Sequence, residues 1–190
     1  MSPSIPLPSE FPTALAVPVS QTDHALGPPD APITLIEYGD YECPDCLNAQ
    51  PIIRELRQRL GDQLRVVFRH FPRGSIHPRA STAAMAAEAA AEQGRFWEMH
   101  ESLYRHQKDL ENVDFTHLAL QLGLEVYRFG REMESNAWAR RVRDHFDSGE
   151  KSGVRGTPTF FLNDRRYTGE ISVDAMLAAI EKYAKPKGNS

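Results

Sequence analysis

Tyr41-Glu42-Cys43-Pro44-Asp45-Cys46 holds both cysteines of the 190-residue chain, with two residues between them. Upstream, Ile33-Thr34-Leu35-Ile36-Glu37-Tyr38 is rich in β-branched and aromatic residues and reads as a buried strand. Downstream, Leu47 to Leu60 reads as a helix, with Ile52, Ile53, Leu56 and Leu60 as its apolar stripe. Pro51 inside it predicts a kink. Cys43 therefore falls where a strand hands over to a helix, beside the helix N-terminus. Unpaired N–H groups and a partial positive charge gather there, and both favour a thiolate. Pro44 suits the first helical position. Cys46 falls inside the first turn, so Cys43 is expected to attack and Cys46 to resolve.

Two other uses of a C-x-x-C pair are open. Half of a zinc site needs a second pair of ligands. The chain has no third cysteine, and its seven histidines show no H-x₃₋₅-H pair placed on an obvious knuckle; His100 and His106 are six apart and His70 and His77 seven. A structural disulfide closing so short a loop removes little chain entropy. A redox pair, with no metal and no organic cofactor, fits best.

The formal charge of −4 argues against a nucleic-acid partner. No run of about 18 apolar residues predicts a membrane span. Met1 to Val19 is rich in proline and serine, and the first basic residue is Arg54, so no secretory leader is read. The expected compartment is the cytoplasm, or the periplasm if a leader has been removed.

Residues 1–14 carry four prolines and read as a mobile tail. Val17-Pro18-Val19 reads as a short edge strand, and His24 to Pro32 as a proline-punctuated turn. Leu64 to Phe68 is a second central strand, completing a βαβ unit. From His77 to Gly149 only helices are legible: Ala80 to Gln93, Phe96 to His106, one capped by Asp114, and two marked by Val126/Phe129/Met133 and Ala139/Val142/Phe146. Thr157 to Leu162 and Arg166-Tyr167-Thr168 read as a hairpin turning at Asn163-Asp164, followed by a helix from Val173 to Tyr183. The expected layout is an α/β domain from 15–76 and 150–184, an inserted helical lobe at 77–149, and a tail at 185–190.

These parts in this order resemble the DsbA-like thioredoxin-fold thiol-disulfide oxidoreductases. The residues that carry the resemblance are Glu37 to Cys46, Arg69-His70-Phe71-Pro72, Gly94 to His100 and Gly156-Thr157-Pro158-Thr159-Phe160. The resemblance implies a central mixed sheet flanked by helices, with a helical lobe partly covering the site. It implies that Pro158 is a cis-proline facing the cysteines, and that the backbone of Thr157 pairs with an extended substrate segment. By residue type alone Pro158 is equally an ordinary strand-leading proline. Glu37 matches the family's buried acid and would move the proton of Cys46; an edge-facing, salt-bridged glutamate is the alternative. The implied substrates are proteins or small molecules carrying disulfides or dithiols, with a separate redox partner and no membrane.

The dipeptide between the cysteines, Pro44-Asp45, sets the redox poise. A charge at ~8 Å and an effective dielectric of ~40 contributes about 1 kcal/mol, so Asp45 and Glu42 together are expected to raise the Cys43 pKa by about one unit relative to a neutral dipeptide, with Arg155 offsetting part. That predicts a reductase- or isomerase-leaning protein between about −200 and −270 mV. A glutathione-dependent transferase or isomerase and a non-catalytic thioredoxin-like module, of the kind fused to membrane transporters, are the rival readings. Cys46 counts against the first and the intact cysteine pair against the second. His70, Trp97, His100 and Tyr104 are read as packing residues; Trp138 either packs or lines the groove.

Overall fold

The computed structural model describes residues 13–183. The elements run β1 (His24–Leu26), β2 (Ile33–Gly39), α1 (Pro44–Leu60), β3 (Leu64–His70), α2 (Ala80–Ala91), α3 (Phe96–Arg105), α4 (Phe115–Gln121), α5 (Val126–Glu134), α6 (Ala139–Lys151), β4 (Thr159–Leu162), β5 (Arg165–Arg166) and α7 (Val173–Tyr183). The sheet order is β1-β3-β2-β4-β5, with β2 and β3 parallel and the other pairs antiparallel. This is the mixed sheet expected from the sequence.

Alternation along β2 sorts its side chains between two layers. Ile33 and Leu35 pack with Ile53, Leu56, Met176 and Ile180 of α1 and α7. Ile36 and Tyr38 pack on the other face with Val67, Phe71, Val154 and Phe161. Glu37 follows the parity of Leu35, so it lies on the α1 face, paired in register with Phe68 and Phe160. A third apolar cluster joins the alanines of α2 to Phe96, Met99, Leu103 and Phe129, and it includes Cys43 and Cys46. The cysteines thus sit on the seam between the sheet domain and the helical layer that separates β3 from β4 in sequence.

Several boundaries differ from the sequence reading. Val17-Pro18-Val19 forms no strand. The Val17 and Pro18 carbonyls instead accept from Arg69, at 2.8 and 2.9 Å, and the same guanidinium pairs with Asp23. The edge strand is His24–Leu26, inside the stretch read as a turn; Gly27 ends it at φ +98°, where an added Cβ would lie 2.3 Å from the Leu64 carbonyl. Thr13 and Ala14, assigned to a mobile tail, are held against the last hairpin: Arg166 N–H donates to the Thr13 carbonyl at 2.7 Å, and Ala14 bridges Arg165. That hairpin's second strand is Arg165–Arg166, one residue ahead of its expected start. Helix α1 begins at Pro44, ahead of Leu47, and runs unbroken through Pro51. Expectations for residues 1–12 and 184–190 lie outside the described residues.

A buried ionic hub fastens the helices to the sheet. Glu88 of α2 is 1% exposed. His70 Nε2 of β3 lies 2.9 Å from one of its carboxylate oxygens. His24 Nε2 of β1 and Arg141 Nε of α6 lie 3.0 and 2.8 Å from the other. His70, Glu88 and His145 bring three potential metal ligands within 4.8 Å of one another, but Glu88 is already paired with the Arg141 guanidinium. No helix among the described residues is long and apolar enough to cross a membrane.

Candidate active site

Cys43 is the N-cap of α1, with extended backbone (φ −77°, ψ 118°), and its side chain makes no capping bond. Its sulfur is therefore left for other partners. Pro44 occupies the first turn without needing a donor for its missing N–H. The N–H groups of Cys46 and Leu47 donate to the Cys43 carbonyl at 3.1 and 3.2 Å and close that turn. Both thiols are free. Cys43 is 6% exposed and Cys46 wholly buried, which matches the expected outer and inner sulfurs.

Thr157 meets Cys43 from across the site. The Cys43 thiol lies 3.1 Å from the Thr157 carbonyl, to which it donates when protonated. The Thr157–Pro158 peptide is cis. The buried Thr157 hydroxyl has no other hydrogen-bond partner and is the Thr157 group available to donate to the Cys43 thiolate. The loop between β2 and α1 is stapled from three sides. Asp40, 2% exposed, accepts from the N–H groups of Glu42 and Arg73, both at 2.8 Å, and from His77 Nδ1 at 2.8 Å. Glu42 accepts from the Arg79 N–H at 2.6 Å. Gln107 donates from Nε2 to the carbonyls of Tyr41 and Cys43, at 2.8 and 2.9 Å.

These contacts separate the two thiols chemically. The Cys43 pKa is pulled down to about 5, first by the hydrogen bond from the Cys46 thiol. Burial opposes the shift, while the Thr157 side-chain hydroxyl and the N–H groups of Cys46 and Asp45 reinforce it. Burial pushes the Cys46 thiol well above its ordinary range, and its bond to Cys43 and the charge of Glu37 push the same way. By charge alone Asp45 and Glu42 would disfavour a thiolate at Cys43. Here Asp45 acts through its backbone N–H, and the Glu42 carboxylate is engaged by Arg79.

Glu37 is 1% exposed, and burial raises its pKa to about 8 against the opposing bond from Gln50. It makes no ion pair among the described residues. Gln50 Nε2 lies 3.3 Å from both Glu37 oxygens and 3.1 Å from the Cys46 carbonyl. Sequence reasoning missed Gln50, Gln107 and Asp40. Only Gln50 had a local signal: four residues after Cys46, it shares a helix face with it. His70 is buried against Glu88, Trp97 and His100 pack with ring centroids 5.1 Å apart, and Trp138 packs on the helical core.

The family model described as thioredoxin matches residues 19–182. Among solved structures, oxidised BdbD from Bacillus subtilis superposes with a TM-score of 0.78 at 24% identity, over 92% of this chain and 100% of that one. Wolbachia pipientis alpha-DsbA1 superposes with a TM-score of 0.75 at 20% identity, over 88% of this chain and 94% of that one. Two curated relatives are Na(+)/H(+) antiporters. NhaA 3 of Salinispora tropica is 46% identical over 169 residues and NhaA 1 of Salinispora arenicola 44% identical over 167; each match spans 87% of this chain and 26% of the antiporter. The chain thus spans about a quarter of the length of these relatives. The matched family model and the shared fold place the chain in the thioredoxin family, in the DsbA-like form of the fold with helices inserted between its third and fourth strands.

Proposed function

We propose that the chain is a thiol-disulfide oxidoreductase acting on protein or small-molecule disulfides and dithiols. One observation carries this reading: an outer thiol at a helix N-cap, ionised near neutral pH, receives a hydrogen bond from an inner thiol that stays protonated.

In the reducing direction the Cys43 thiolate attacks a substrate disulfide. A Cys43–substrate S–S bond forms, the substrate's own bond breaks, and one half leaves as a thiolate that takes a proton from solvent. Cys46 then passes its proton to ionised Glu37 and attacks the Cys43 sulfur. The enzyme disulfide closes, the second half departs as a thiolate, and two electrons have passed to the substrate. In the oxidising direction a substrate thiolate attacks Cys43 of the enzyme disulfide, and protonated Glu37 supplies the proton taken up by departing Cys46. Glu37 with a pKa of about 8 is mostly protonated at pH 7, which favours this second role there. The Thr157 backbone beside Cys43 supplies the edge for an extended substrate segment, and Pro158 fixes that edge.

A Cys43 pKa of about 5 lies between the ~3.5 of DsbA and the ~7 of thioredoxin. That order points to a couple between their potentials of ~−120 and ~−270 mV. The direction in which it runs is then set by the poise of its compartment, reducing where that poise lies below the couple and oxidising where it lies above.

The antiporter relatives favour a second reading, a thioredoxin-like module that works with a transporter and reports redox state to it. Insulin reduction driven by dithiothreitol separates the two. Wild type is expected to turn over. Cys43→Ser is expected to lose the activity, and Cys46→Ser to accumulate a mixed disulfide through Cys43. Equal rates for all three proteins would remove the catalytic reading.

A further inference from the structure

Glu37 is reached by a chain of side chains that passes through the helical insertion. His100, on α3, is 4% exposed, and burial pulls its pKa down to about 3, so it carries one ring proton at neutral pH. Its Nδ1 lies 3.1 Å from the Tyr41 hydroxyl, and its Nε2 lies 3.2 Å from Gln50 Oε1. Tyr41 is buried, with its pKa pushed well above the ordinary phenol range, so it keeps its proton. The Tyr41 hydroxyl donates to Nδ1, which leaves the imidazole proton on Nε2. That proton needs an acceptor, and Gln50 Oε1 is the atom facing it. The Gln50 amide must then turn its NH₂ toward Glu37 and the Cys46 carbonyl. A flipped amide would set oxygen against the Cys46 carbonyl and the Glu37 carboxylate, and NH₂ against the imidazole N–H.

We propose that Tyr41, His100 and Gln50 form a one-way donor chain that holds the Gln50 amide on Glu37, so that α3 sets how tightly Glu37 keeps its proton. These are positioning residues for the acid named above, and the proposal rests on the oxidoreductase reading for its purpose but not for its test. With only donors offered by Gln50, the carboxylate form of Glu37 is stabilised against the burial that opposes it. If the chain is broken the amide can turn, and its oxygen then accepts from protonated Glu37. Proton affinity rises. Glu37, Gln50 and His100 also line a cleft of about 510 Å³ with Arg54, Glu101 and Arg105, where the proton can meet water.

The titratable groups that face Glu37 are Cys43 and Cys46 at the start of α1, Tyr41 in the loop before it, and His100 and Tyr104 from α3. β3 and β4 contribute Phe68 and Phe160 in register. In the oxidised protein neither cysteine titrates, both tyrosines ionise above the phenol range, and His100 titrates near pH 3. Glu37 is then the group of this cluster that titrates between pH 5 and 9.

The test follows the carboxylic acid C=O infrared band of Glu37 in the oxidised protein, assigned by its loss in Glu37→Gln. Tyr41→Phe leaves every atom touching Glu37 in place, and Gln50→Leu removes the amide. Both are expected to raise the band's midpoint by about one pH unit, a tenfold change in proton affinity. His100→Gln can accept from Tyr41 and donate to Gln50, and is expected to leave the midpoint unchanged. An unchanged midpoint in Tyr41→Phe overturns the proposal whatever Gln50→Leu does; if Tyr41→Phe fails to fold, an unchanged midpoint in Gln50→Leu does so. The midpoint needs no turnover. A shifted midpoint in a chain that cannot reduce insulin would keep the donor chain and discard the catalytic reading.

Discussion

Glu88→Ala is expected to destabilise the protein by roughly 3–5 kcal/mol, the cost of removing one partner from a buried charge network. The carboxylate is shared by His70, His24 and Arg141, from β3, β1 and α6, while Glu88 itself comes from α2. Alanine would leave the Arg141 charge without its buried partner and the His70 Nε2–H without an acceptor. His70 Nδ1, the accepting nitrogen, is already buried without a partner, so the ring has no second bond to fall back on. A urea titration at pH 7 checks this, and a loss under about 1 kcal/mol would contradict it. The acid limb should change as well. Burial works against the Glu88 carboxylate, but the bonds from His24 and His70 outweigh it and hold its pKa below the usual carboxylate range. Its contribution is therefore complete above about pH 4.5 and is lost as pH falls through the lower folded value. Burial also holds His70 below the usual imidazole range, so a separate loss begins near pH ~6.5, where the unfolded chain starts to take protons. Glu88→Ala should flatten the decline below about pH 4.5.

Glu37→Gln is expected to trade activity for stability. Burial raises the Glu37 pKa to about 8, so the folded protein holds a proton that the unfolded chain releases from about pH 4.5 upward. The stability attached to that proton is complete below pH 4.5 and is lost as pH rises toward 8. Across this window wild type should lose up to roughly 5 kcal/mol relative to Glu37→Gln, about 1.4 for each pH unit, and less in the oxidised protein, where the Cys43 charge that helps raise the Glu37 pKa is absent. The comparison belongs in the oxidised state, because reduced Cys43, with its lowered pKa, gives a slope of opposite sign. The same substitution removes the group proposed to move the Cys46 proton, and should slow resolution of the mixed disulfide about 10²-fold. Parallel stability curves for the two proteins from pH 5 to 8 would show that Glu37 is ordinary.

The sequence was most informative where one local rule decides an element. Asp114 capping α4, with its carboxylate accepting from the Thr116 and His117 N–H groups, was readable from residue type and position. So was the glutamate on an apolar strand, because alternation alone assigns Glu37 to a face. The edge strand was misread because prolines after Gly27 marked a turn and hid the three residues that pair with β3. Val17 and Pro18 looked extended, and only the fold reveals that a buried arginine takes their carbonyls. Helix α2 reads as an alanine face for close packing, and nothing local indicates that its glutamate turns inward to meet residues 18, 53 and 64 positions away. The hydrogen bonds around the cysteines were out of reach for a related reason. Charge at a fixed sequence distance overstated Glu42, whose carboxylate the fold directs to Arg79, and left out the Cys46 thiol.

The pH dependence of Cys43 alkylation by iodoacetamide, followed in the reduced protein with Cys46 replaced by alanine as a control, tests the acidity of the outer sulfur most directly. With Cys46 present the rate should rise through a midpoint near pH 5 and be flat above pH 7. Without the Cys46 hydrogen bond the midpoint should move upward. A rate that climbs through pH ~8.5 in both proteins, as for a thiol in a free peptide, would contradict the account.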